Sequence, residues 1–197
     1  MRILIFGATG VLGRATIPHL NGHSVGGTTR SAHKLAALAA SRVEGFVCDA
    51  YDRESVIDVA RAFRPDVVVN FLTDLAAGPG PANSRIRREA GPHVTAAARA
   101  AGARRVVVES IAFATTPESD AAVAAEERDA QSSGLEALIL RFGRFWGPGT
   151  WNATRAASPA IEIGEAGRRA AAAILGAETG IAVVAELDGS SGSVPGV

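Results

Sequence analysis

The chain of 197 residues has few of several chemically useful side chains. Its single cysteine, Cys48, excludes an internal disulfide and a cysteine-based zinc site. Of 20 basic residues only Lys34 is a lysine, which leaves 19 arginines, and Tyr51 is the only tyrosine. A Tyr-x-x-x-Lys pair is therefore excluded, because Ser55 stands four residues beyond Tyr51. Twenty acidic residues balance the basic ones. Without a cationic excess, neither nucleic acid nor a membrane surface is an expected partner. The longest apolar runs, around residues 67–69 and 106–108, are too short to span a bilayer. Residues 1–7 pass straight into a strand-like run with no small-residue cleavage site, which predicts no secretory leader and a cytoplasmic protein. His19, His23 and His33 have no metal-ligand spacing with acids or with one another, so no metal site is expected.

What is present is alternation. Short apolar runs at 2–6, 23–29, 45–48, 66–71, 105–109, 135–140 and 181–185 read as strands. Helical stretches at 13–21, 31–40, 52–64, 83–101, 120–132 and 163–175 lie between them, with Pro18 kinking or ending the first. Ser31 and Asp52 stand at cap positions, and Gly102 stops the long helix. Solid apolar strands, each followed by a helix, indicate a doubly wound parallel α/β sheet covered on both faces. The expected domain is 1–187, and the Gly/Ser/Pro-rich residues 188–197 read as a loose tail.

The first strand runs into Gly7-Ala8-Thr9-Gly10-Val11-Leu12-Gly13-Arg14. Three glycines at this spacing, between a strand and a helix, form a pyrophosphate cradle. Gly7 allows the tight turn, Gly10 the close approach of backbone to phosphate, and Gly13 the packing of helix on strand. Free N–H groups at the helix start then face the anion. The second strand ends in Thr29-Arg30-Ser31 with no carboxylate to hold a ribose 2′-hydroxyl. Arg30, with Arg14 and Lys34, instead suits a 2′-phosphate, so NADP is expected ahead of NAD. Asp49 and Ala50, after the third strand, stand where an adenine contact is expected, with helix capping as the other reading of Asp49. Phe71, Leu72 and Thr73, after Asn70 in the fourth strand, border the same crevice.

These residues resemble a known family. The run 7–14, Thr29-Arg30-Ser31, Pro65 to Asn70, Glu109 to Ala114, Glu127-Arg128 and Leu140 to Trp151 are similar to the extended or atypical short-chain dehydrogenase/reductases. These are NAD(P)-dependent, epimerase/dehydratase-like proteins with a Rossmann-type, three-layer fold. The resemblance implies a catalytic serine after the fifth strand, which Ser110 matches, and a Tyr-x-x-x-Lys pair on the next helix, which nothing here matches. Aligned on Glu127-Arg128, Ser119 and Val123 occupy those positions, and Thr115 stands where some relatives have a tyrosine. The resemblance also implies a larger substrate lobe. Here only residues 151–160 separate the Gly147-Pro148-Gly149 strand end from Ile161 to Ala166, which leaves a vestigial substrate region within 141–187.

The expected function is an NADP-dependent oxidoreductase acting on a small hydrophobic metabolite. Ser110 would hold the substrate oxygen, helped by Thr115 or Thr116, and the proton would come from water. Two alternatives stay open: a non-redox isomerase, cyclase or dehydratase, and a nucleotide-sensing protein without turnover. Asp74 is a candidate substrate contact or a turn cap before Gly78-Pro79. Trp146 and Trp151 either wall a substrate pocket or bury area at the core's edge. Glu109 is a possible base, though strand alternation lets only one of Glu109 and Ser110 face the crevice. His93 reads as a packing residue, and Glu126, Glu127 and Arg128 as a solvated helix face. The Ala-rich helices 83–101 and 120–132 either pair two copies in a homodimer or lie flat on the sheet.

Overall fold

The computed structural model describes residues 1–75 and 80–186. The expected tail at 188–197 and the Gly78-Pro79 turn lie outside the described residues. Seven strands form one parallel sheet: β1 (Arg2–Phe6), β2 (Ser24–Thr29), β3 (Glu44–Val47), β4 (Val67–Asn70), β5 (Arg105–Ile111), β6 (Glu136–Phe142) and β9 (Gly180–Val184). Their spatial order is β3-β2-β1-β4-β5-β6-β9. The order reverses between β1 and β4, which pair in register from Ile3 with Val67 to Phe6 with Asn70. Ligands of doubly wound sheets bind outside the strand ends at such a point.

Side-chain alternation builds the two faces. Ile3, Ile5, Val67, Val69 and Leu138 are buried with residues of α1 (Val11–Thr16) and α6 (Ile163–Leu175). Leu4, Phe6 and Val68 are buried with residues of α3 (Arg53–Phe63) and α4 (Pro81–Ala100). Helix α5 (Pro117–Gln131) places Ala130 against Val106, Val108 and Ile139. The Ala-rich faces of α4 and α5 pack on each other and on the sheet within the chain.

Several expected boundaries move. The first helix begins at Val11, one residue past an extended Gly10, and ends at Thr16; Pro18 belongs to a separate 3-10 turn, Ile17–His19. The second divides into a 3-10 turn, Ala32–Lys34, and α2 (Leu35–Ala40), and the Ser31 side chain makes no capping bond. Asp52 does cap α3, accepting from the amides of Glu54 and Ser55. Strands β5 and β6 run on to Ile111 and Phe142, pairing Ser110 with Arg141. A parallel ribbon of β7 (Arg144–Trp146) and β8 (Ala160–Glu162), not expected from the sequence, occupies the short substrate region.

Candidate functional site

A cavity of about 340 Å³ opens at the reversal point. Gly7, Thr9 and Gly10 line it from the β1–α1 turn, Arg30 and Lys34 from beyond β2, and Asp49 and Ala50 from beyond β3. Phe71, Leu72, Thr73 and Asp74 line it from beyond β4. The sequence did not mark Thr28, Tyr51 or Ile86, which also line it. Val11, Leu12 and Gly13 lie just inside α1 and do not line the cavity. Arg14 donates to the Thr9 carbonyl at 2.7 Å, which holds the turn rather than the cavity wall.

The turn can only be built from glycine at its first position. Gly7 has φ +88, and a Cβ there would lie 2.5 Å from the Phe71 carbonyl oxygen. A Cβ at Gly13 would lie 2.5 Å from the Gly7 carbonyl oxygen. Gly10, as the extended N-cap of α1, makes no side-chain capping bond, so no side chain covers the first amides of the helix. These features fit a pyrophosphate against backbone N–H groups. No carboxylate stands at the end of β2, where Thr29 Oγ1 accepts from the Ser31 amide instead. Arg30 and Lys34 are exposed at the cavity rim. Asp52 caps α3 alone, while Asp49 accepts the Tyr51 amide at 3.0 Å and borders the cavity.

Ser110 is fully buried, and its hydroxyl donates to Glu127 at 2.5 Å. Arg141 completes that cluster with two bonds to the Glu127 carboxylate, at 2.9 and 2.6 Å. Burial works to raise the Glu127 pKa, but the bonds from Arg141 and Ser110 outweigh it and hold the carboxyl below its usual range. Thr115 donates its amide and hydroxyl to Asp120, and Thr116 accepts from the Ser119 amide, so both residues shape the start of α5. A smaller hollow of about 170 Å³ lies here, with apolar walls from Ile111, Phe113, Ala114, Val123 and Ala124 and polar groups from Asp120, Glu127 and Arg141.

The solvated face expected for α5 is therefore corrected. Only Arg128 is exposed; Glu126 and Glu127 are buried. Glu126 accepts from Arg87 at 2.5 Å and from Asn70 at 2.9 Å. Arg87, buried on α4, also donates to the Glu109 carboxylate at 2.8 Å and to its carbonyl oxygen at 3.0 Å. Burial pushes both carboxyls up against the pull of Arg87, Glu126 to about 7. Glu109 is thus part of a buried ion cluster rather than a free base. The sequence carried a signal for this cluster: Ala122, Glu126 and Ala130 share one helical stripe, and Arg87 shares another with Ala90, Gly91 and Val94. Trp146 and Trp151 line neither cavity, and Trp151 is 61% exposed. His93 is half-buried with Nδ1 3.1 Å from the Ala50 carbonyl, a packing position as expected.

Comparison with known proteins follows this geometry. A family described as NAD(P)H-binding matches residues 7–174. A 3-diazoavenalumate denitrifying reductase from a Streptomyces species is 42% identical over 180 residues, covering 76% of this chain and 58% of that protein. This chain thus spans less than two thirds of that relative's length. The fold is shared with the Thermus thermophilus UDP-glucose 4-epimerase solved with NAD, at a TM-score of 0.76 and 19% identity; the match covers 94% of this chain and 78% of that one. A candidate NAD-dependent epimerase/dehydratase from Bacillus halodurans matches at a TM-score of 0.75 and 17% identity, over 92% of this chain and 91% of that one. No helix among the described residues is long and apolar enough to cross a membrane, and no group of three or more His, Cys, Asp or Glu is arranged to hold a metal.

Proposed function

The chain belongs to the NAD(P)H-binding family, and from that premise we propose that it is an NADPH-dependent reductase whose acceptor needs no proton from a side chain. The carrying observation is the state of the hydroxyls at the β5 end. Ser110 is buried with its proton directed to Glu127, and Thr115 is committed to Asp120. The only tyrosine borders the other cavity, beyond β3. No side chain there is a ready general acid for a carbonyl oxygen.

The bound cofactor supplies hydride. The Gly7–Gly10 turn receives its pyrophosphate, and Arg30 and Lys34 hold the 2′-phosphate. The hollow between Phe113 and Val123 offers apolar walls to a substrate ring, and the paired Glu127 and Arg141 form its polar side. The Streptomyces relative is named for a diazo-substituted carboxylate and for denitrification. Such chemistry suits this site. Hydride replacing a diazonium group forms one C–H bond, breaks one C–N bond and releases N2 with electrons balanced and no proton consumed. Carbonyl reduction requires a proton.

Two experiments test the reading. With deuterated NADPH and an arenediazonium carboxylate, we expect NADPH loss and N2 release in equal amounts above a protein-free control, with deuterium on the product ring. Faster turnover of a ketone panel contradicts the proposed acceptor. A product at the substrate's oxidation level with no NADPH loss supports an isomerase, cyclase or dehydratase. Saturable NADPH binding without any turnover supports a sensor. For cofactor choice, Arg30→Ala with Lys34→Ala is expected to weaken NADPH binding by about tenfold or more, since charge-assisted bonds are removed, and to leave NADH binding nearly unchanged. Equal losses for both cofactors contradict the 2′-phosphate assignment.

A further inference from the structure

The Arg87 cluster reaches the cofactor cavity through one amide. Asn70 Nδ2 donates to Glu126 Oε1, and Asn70 Oδ1 accepts the backbone amide of Leu72 at 3.1 Å. Leu72 and its neighbours Phe71 and Thr73 line that cavity. The site around Glu126 is built to admit a carboxylate. A Cβ on Gly91 of α4 would lie 2.6 Å from Glu126 Oε1, so a side chain there would displace the carboxylate from this position. Charged and polar groups face Glu126 from every neighbouring element named in this cluster: Arg87 from α4, Glu109 from β5 and Asn70 from β4. Glu127, next along α5, is turned to Ser110 and Arg141.

The charges do not balance. One guanidinium serves two carboxyl groups, so with both ionised the buried cluster carries an excess negative charge. Donor and acceptor roles are equally constrained. Both Glu126 oxygens accept, one from Arg87 and one from Asn70. A proton on Oε1, directed at Asn70, places a donor where an acceptor is needed. Arg87 cannot accept. Asn70 can, but only by turning its amide so that Oδ1 faces Glu126, and the Leu72 N–H then loses its acceptor.

We propose that Glu126 is a positioning residue for the cofactor cavity: its ionised carboxylate orients Asn70 so that Leu72 is held, and protonation releases Leu72. This rests on the reading of that cavity as the NADP(H) site. The raised pKa of Glu126, near 7, places the change within the neutral range. NADPH binding should therefore be strongest above about pH 8 and weaken as pH falls through 7.

The test measures the NADPH dissociation constant by fluorescence for wild type and Glu126→Gln, from about pH 8.5 to about pH 5.5, with a melting temperature at each point. Titration of the cofactor's own 2′-phosphate is common to both proteins and cancels in their ratio. We expect Glu126→Gln to bind about five- to tenfold more weakly at high pH, the worth of about one hydrogen bond, with the two proteins converging at low pH. Its melting temperature at high pH should equal or exceed that of wild type, because the excess buried charge is gone, which a merely structural role would not give. Should Glu126→Gln fail to fold, Asn70→Ala must show the same weak binding with no step near neutral pH. A ratio of one at every pH overturns the inference while leaving the cavity assignment intact. Absence of NADPH binding to wild type at all pH values overturns both.

Discussion

Gly7→Ala should weaken NADP(H) binding and lower the melting temperature together. Gly7 lies at φ +88, where an added side chain costs about 1–3 kcal/mol in backbone strain. The new Cβ also meets the Phe71 carbonyl, at 2.5 Å from oxygen and 2.7 Å from carbon. Both are backbone atoms, so relief requires the end of β1 to part from the residues after β4. Overpacking of this kind costs about 1–3 kcal/mol more. The parted elements carry the phosphate turn and the Phe71–Thr73 border of the cavity, so affinity falls with stability. The dissociation constant should rise about tenfold or more, the equivalent of about 1.4 kcal/mol or greater. Unchanged binding by a Gly7→Ala protein, measured by fluorescence titration, would place the cofactor elsewhere.

Arg87→Met should be strongly destabilising. It leaves two buried carboxylates without their cation, a situation that costs about 3–5 kcal/mol. The loss should depend on pH in a defined direction. Glu109 and Glu126 are already raised above their usual carboxylate range by burial, and removing Arg87 raises both further. A carboxyl whose pKa is higher in the folded than in the unfolded chain gives its full stability below the unfolded value. That stability is lost as pH rises through the folded value. The deficit of Arg87→Met relative to wild type should thus be small near pH 5 and largest at pH 8 and above, as read by urea unfolding. A deficit that grows toward acid pH would contradict the ionised Arg87–Glu126 pairing.

The division between what the sequence discloses and what it hides follows the range of the interactions. The phosphate turn is legible because its glycine spacing lies within seven residues between one strand and one helix, although the Phe71 carbonyl that forbids a side chain at Gly7 comes from beyond β4. Asp52 is legible for the same reason, since its carboxylate accepts from amides two and three residues on. The strands read well because buried parallel strands are solid apolar runs, as in Val67–Asn70. Glu126 and Glu127 do not read well. A charged residue on a helix defaults to solvent, and its burial here depends on Arg87, 39 residues away, and on Arg141, 14 residues away. Ser110 was placed at the correct strand end, but its commitment to Glu127 needs a partner across the turn of a helix. Strands β7 and β8 have three residues each, too few for periodicity to register. Trp151 is a different case: a large apolar side chain beside Gly147-Pro148-Gly149 suggests burial, yet it stands exposed.

The β5–α5 region holds two ion clusters and no Tyr-x-x-x-Lys pair. In one, Glu127 and Arg141 border the apolar hollow and hold Ser110; in the other, Asn70 joins Glu126, Arg87 and Glu109 to Leu72 of the larger cavity. Arginine suits both clusters, since each guanidinium divides its donors among two or more acceptor atoms, which a single ammonium point charge does less well.

The central claim is that the cavity at the β1–β4 reversal takes NADP(H). It is tested most directly by titrating the purified wild-type chain with NADPH and, separately, NADH, following nicotinamide fluorescence and confirming stoichiometry by calorimetry. The account predicts saturable binding of one NADPH per chain, about tenfold or more tighter than NADH through Arg30 and Lys34. No saturable binding of either nucleotide would contradict it.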